Sequence, residues 1–163
     1  MKTLVMFYTR TGTSWKVAQE IANSLNADLE ELVDLDNRKG FLGYIKSGID
    51  ALKKKRARLQ QTRKDPSAYD LVILGTPIWG SNLSTPMRTY IDDNKKLLKL
   101  TAMFCTAGGN SKRYADNCLK EVEQLTGQEP VAFLGLDKND MKQGFENKVA
   151  AFTSFLQNPQ QSN

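Results

Sequence analysis

Residues 3–14 read TLVMFYTRTGTS, and this stretch decides the fold. Thr3 to Tyr8 is apolar on both faces, as a strand buried between two helical layers is. It runs directly into the polar loop Thr9, Arg10, Thr11 and Gly12. From Thr13 to Leu25, the residues Val17, Ile21, Ala22 and Leu25 mark one helical face, so the unit is strand, short loop, helix.

The same alternation continues along the chain. A second strand fits Asp28 to Leu35, and the apolar run Leu71 to Leu74 opens a third that reaches Thr76. After a loop at Pro77 to Thr85, Pro86 suits the first turn of a helix toward Leu98, with Thr85 as its N-cap. A fourth strand follows at about Thr101 to Cys105 and ends before Gly108 and Gly109. Tyr114 to Leu125 reads as helix and stops at Gly127, and Val131 to Leu136 gives a fifth strand. The last helix spans about Met141 to Leu156, with Phe145, Val149 and Phe152 on one face.

Between the second and third strands, Phe41, Ile45, Ile49 and Leu52 recur at helical spacing, with Gly40 and Gly48 as weak points. Lys53, Lys54, Lys55, Arg56, Arg58, Arg63 and Lys64 follow, and they read as the solvated face of that helix until Asp65 and Pro66 end it. The rival reading of the run is a docking surface for an acidic partner, an anionic membrane or nucleic acid. No aromatic residue is interleaved with it, which argues against a stacking surface for single strands, and no nucleic-acid partner is expected.

Five strands alternating with helices imply a doubly wound α/β fold, a five-stranded parallel sheet between two helical layers. The strand order 2-1-3-4-5 places ligands at the carboxyl edge, around strands one and three. At 163 residues the chain fits one core, a single domain over 1–157 with a frayed tail at 158–163.

Composition narrows the chemistry. The chain has no histidine, which excludes imidazole bases, proton shuttles and metal ligands. No cluster of thiols or carboxylates has a recognisable ligand spacing, so no metal is expected. Cys105 and Cys118 form neither a CxxC pair nor a disulfide framework, which fits a reducing compartment. No apolar run reaches the roughly 18 to 20 residues that span a bilayer, and MKTLVMFYTR lacks the pattern of a cleaved leader, so a cytoplasmic protein without an integral membrane segment is expected.

Three loops meet at the carboxyl edge if the topology holds. The first, Thr9 to Ser14, gathers four hydroxyls and one glycine before a helix N-terminus, an arrangement that suits a phosphate. It has neither the GxxxxGK[ST] nor the GxGxxG spacing. Read alone, its alternative is a polar loop in which Thr13 or Ser14 merely caps the helix.

In the second loop, Thr76, Pro77, Ile78, Trp79 and Gly80 follow a buried strand with little local apolar sequence to cover an indole. Trp79 fits a flat heterocycle, and Gly80 lets backbone approach its edge; the alternative is that Trp79 covers the sheet edge or a neighbouring helix. In the third loop, Thr106 and Ala107 lead to Gly108 and Gly109, which free backbone groups for the polar edge of a ring. Tyr114 either stacks on the opposite ring face or packs at its helix start. Cys105 reads as a packing residue, and no catalytic acid–base residue is evident.

Together these loops resemble the FMN-binding flavodoxin family, over nearly the whole chain. TRTGTS is similar to that family's phosphate loop, although the commonest pattern places Asn after the glycine where this chain has Thr13. GTPIWG, Gly75 to Gly80, is similar to the loop whose tryptophan packs against the isoalloxazine, and FLGYIKSGIDALKKK with YDLVILGTPIWG resembles bacterial flavodoxin-like proteins with a TPxW loop. The chain lacks room for an insertion in the fifth strand, as the short-chain form does.

The resemblance implies FMN as cofactor, held by the three loops, and electron transport between redox partner proteins. A formal charge of +5 and a pI near 9.2 point to an acidic partner, unlike the usual set. Two alternatives remain open at this point: an FMN-dependent NAD(P)H oxidoreductase acting on quinone-like acceptors, and a flavin-free binding module on the same fold.

Overall fold

The structure is a computed structural model and describes residues 1–36, 49–50, 53, 55–109 and 111–158. Strand β1 (Thr3–Phe7) leads to helix α1 (Thr13–Leu25) and strand β2 (Asp28–Glu31). A short 3-10 turn at Pro66–Ala68 precedes β3 (Leu71–Trp79), which folds back as β4 (Asn82–Leu83). Helix α2 (Thr85–Asn94), β5 (Leu100–Thr106), α3 (Ser111–Thr126), β6 (Phe133–Leu136), α4 (Lys138–Gln143) and α5 (Glu146–Gln157) follow.

The parallel strands lie in the order β2-β1-β3-β5-β6, the expected 2-1-3-4-5 arrangement once the short antiparallel β4 is set aside. Strand alternation sorts the apolar side chains into two layers. Leu4, Met6, Val72, Leu74, Met103 and Cys105 face one core, which holds Met87, Tyr90 and Val122 from α2 and α3. Val5, Phe7, Leu71, Ile73, Ala102 and Phe104 face the other, with Val17 and Ile21 of α1 and Val149 and Phe152 of α5.

Several boundaries differ from the sequence reading. β2 stops at Glu31, and β3 runs on to Trp79 because residues 78–83 close a hairpin. Ser84, not Thr85, occupies the N-cap position of α2, and no side chain caps it. The single last helix is two, because Gly144 at φ +91° breaks it, while Asp137 and Asp140 form a capping box at the start of α4.

The expected basic helix lies largely outside the described residues, including Gly40, Phe41, Ile45, Gly48, Leu52 and Lys54, as does the tail from 159. Its described basic end is not helical. Residues 56–59 alternate with a period of two: Ala57 is buried and Leu59 packs on the core, while Arg56 and Arg58 face out. Leu59 forms an antiparallel bridge with Asp34, and the Glu30 carboxylate accepts from the Arg63 and Lys64 backbone N–H groups at 2.6 and 2.9 Å. Three cations of the run are matched across the surface: Arg56 pairs with Asp92 and Asp93, Arg58 with Asp36 at 2.9 Å, and Lys64 with Asp28 at 3.0 Å.

Candidate functional site

The carboxyl ends of β1, β3 and β5 open into a cavity of about 320 Å³. Its first wall is the loop Thr9, Arg10, Thr11, Thr13 and Ser14, its second is Pro77, Ile78 and Trp79, and its third is Thr106, Ala107 and Gly108. All three sequence loops thus converge on one space.

Local bonds explain the shape of the first wall. Gly12 takes φ +87° as the N-cap of α1, a conformation open to glycine at little cost, and its N–H donates to Thr9 Oγ1 at 3.0 Å. No side chain caps α1, so its first N–H groups remain available at the cavity. Ser14 is buried, and its Oγ lies 2.8 Å from Thr106 Oγ1, which ties the first loop to the third.

The second wall is a β-hairpin. Gly80 (φ +53°) and Ser81 (φ +66°) are its two central residues, and positive φ at both is the signature of a type I′ turn. The Gly80 carbonyl accepts from Asn82 Nδ2 at 2.7 Å. Trp79 is only 6% exposed and meets Tyr8 edge to face, with ring centroids 5.5 Å apart at 88°. Trp79 thus packs on the core and also lines the cavity.

Beneath the hairpin sits an ion pair that the sequence reading missed. Arg88 Nε donates to Glu121 Oε1, both side chains being 7% exposed. The other Glu121 oxygen accepts from Leu83 N–H at 3.1 Å, and Arg88 Nη2 donates to the Leu83 carbonyl at 3.3 Å. The pair acts as a further strand for β4.

Some expected site residues stand back from the cavity. Thr76 is fully buried, with its hydroxyl donating to Ser84 Oγ at 2.8 Å and accepting from Ser84 N–H at 3.2 Å. Gly12, Gly80, Gly109 and Tyr114 are not among the lining residues, although Gly12 and Gly80 shape the two loops. At Gly108 and Gly109 an added Cβ would meet nothing within 4 Å, so neither glycine is required by protein packing.

Two lining residues went unnoticed in the sequence, Lys138 and Met141 of α4. The last helix begins earlier than its apolar face does, and Lys138 directly follows the capping residue Asp137. A polar Asp-Lys pair after a strand at the carboxyl edge was the signal available. Burial pushes the Cys105 thiol well above its ordinary value, and its hydrogen bond with Cys118 adds to this.

The architecture has solved counterparts. A flavoprotein from Lactobacillus acidophilus NCFM, determined in complex with FMN, aligns with TM-score 0.70 at 22% identity, covering 87% of this chain and 97% of its own. The two-electron reduced flavodoxin of Megasphaera elsdenii gives 0.59 at 15%, covering 93% and 98%. A WrbA-like flavodoxin from Agrobacterium tumefaciens gives 0.56 at 15%, covering 94% and 95%. At these identities the likeness is one of fold. No curated protein matches the chain. The family model for flavodoxins, however, matches residues 2–147, and on that match the chain belongs to the flavodoxin family.

Proposed function

We propose that this protein binds FMN non-covalently in the cavity and carries electrons between redox partner proteins. The observation that carries this reading is the convergence of a hydroxyl-rich loop at the N-terminus of α1, an indole, and an open glycine loop on one space. Thr9, Thr11, Thr13 and Ser14, with the first N–H groups of α1, suit the phosphate. Trp79 offers a face or edge to the ring system, and the open side of Gly108 allows backbone to approach its polar rim. FMN supplies one- and two-electron transfer when bound, and the protein contributes position and electrostatics.

The lining suits the carrier reading. Among the described residues that line the cavity, none is a carboxylate, and the charged ones are Arg10 and Lys138. A site that moves electrons alone needs no acid–base group. The excess of positive charge favours an acidic partner, and two free buried thiols suit a reducing compartment such as the cytoplasm.

An absorption spectrum of the purified protein with an FMN titration tests the reading. Perturbed flavin bands at one equivalent are expected, and a protein that stays colourless with added FMN overturns it. Steady-state NAD(P)H oxidation by the pure holoprotein separates the two activities: oxidation without a reductase would establish the enzyme instead.

A further inference from the structure

The two layers of the sheet sort the walls of the cavity. Trp79 belongs to the layer of Tyr8, Tyr90 and Val122, whereas Met141 packs against the layer of Val17 and Ile21 in α1. A line of contacts joins α4 to the first turn of α1. Ser14 Oγ touches Thr106 Oγ1 at 2.8 Å, Thr106 is the register partner of Leu136, and Ala107 N–H donates to the Leu136 carbonyl at 2.9 Å. Lys138 stands two residues beyond Leu136 and lines the same cavity as the hydroxyl-rich loop.

The hydroxyls of the first loop are neutral, and a phosphate monoester carries about −1.5 to −2 charges at neutral pH. A helix N-terminus offers roughly half a positive charge. Arg10 adds a cation, and it also borders a second cavity of about 190 Å³ lined by Glu31, Asp34 and Asp36. The Lys138 ammonium has no ion-pair partner among the described residues. We propose that Lys138 is the counter-charge for the flavin phosphate, so that the site selects phosphorylated flavin over riboflavin by a charge supplied from α4.

This inference rests on the FMN reading, and one set of titrations separates the two. Flavin fluorescence is followed for FMN and for riboflavin with the wild-type protein, Lys138→Gln and Lys138→Arg, at low and high salt. An exposed charge pair leads us to expect Lys138→Gln to raise the FMN Kd roughly two- to fivefold. The riboflavin Kd should stay unchanged, the salt dependence of FMN binding should flatten, and Lys138→Arg should restore FMN affinity to within about twofold. An unchanged FMN Kd in Lys138→Gln, or equal weakening of FMN and riboflavin, overturns the role of Lys138 while leaving FMN binding intact. A wild-type protein that binds neither flavin overturns both.

Discussion

The Ser14 and Thr106 hydroxyl oxygens lie 2.8 Å apart in the protein interior, and this contact fixes the loop after β1 against the end of β5. Replacing Thr106 with Val keeps the volume but leaves the Ser14 hydroxyl without its partner, at a cost of about 1 to 3 kcal/mol. The double substitution Ser14→Ala with Thr106→Val should cost less than the sum of the singles, because the two share one interaction. Urea unfolding of the flavin-free protein measures this cycle. Additive costs would show that the hydroxyls do not act together.

Gly75 faces a packing limit at the centre of β3. A Cβ there would lie 2.1 Å from Phe104 Cζ and 2.9 Å from Phe7 Cβ. Gly75→Ala should therefore destabilise by roughly 1 to 3 kcal/mol or more, as overpacking does. Adding Phe104→Leu should recover part of the loss, since the ring is what the methyl meets. A denaturation midpoint unmoved by Gly75→Ala would refute this account.

Period and punctuation made the scaffold legible. Leu71 to Leu74 and Thr3 to Tyr8 are apolar on both faces because two helical layers cover them. The site was legible as three loops because a parallel sheet gathers its carboxyl ends at one edge. What escaped depended on distance along the chain. The Arg88–Glu121 pair joins residues 33 apart, and nothing local announces it. The 56–59 stretch reads as a helix by charge, yet its two-residue alternation is set by the bridge to Asp34. Thr76 looked like a ligand-binding hydroxyl until Ser84, placed by the hairpin, took its hydrogen bonds.

The Tyr69 hydroxyl donates to Asp28 at 2.8 Å, and Lys64 lies 3.0 Å from the same carboxylate. The Tyr69 hydrogen bond first, and Lys64 second, hold the Asp28 carboxyl below its ordinary value. A depressed carboxyl stabilises the fold above its unfolded-state pKa, and that contribution disappears as the pH falls through the folded value. Tyr69→Phe should thus be less stable than wild type at neutral pH, with the gap narrowing as the acid limb is crossed. Thermal melts across that range check the sign, and a gap that widens in acid would contradict it.

Arg88 and Glu121 together bind both the N–H and the carbonyl of Leu83, so the hairpin carrying Trp79 is held from below by an ion pair. Removing one partner leaves a buried charge, and Glu121→Ala or Arg88→Ala should cost about 3 to 5 kcal/mol. Replacing both with apolar residues of similar volume, as in Arg88→Met with Glu121→Leu, should cost less than either single change because no charge is stranded. The Leu83 backbone would still lose its partners, so the hairpin would loosen and FMN affinity should fall even where overall stability recovers. Thermal denaturation paired with flavin titration on the same variants reads the two effects separately. If the double variant regains stability and keeps full flavin affinity, the pair contributes to the fold alone and does not position Trp79.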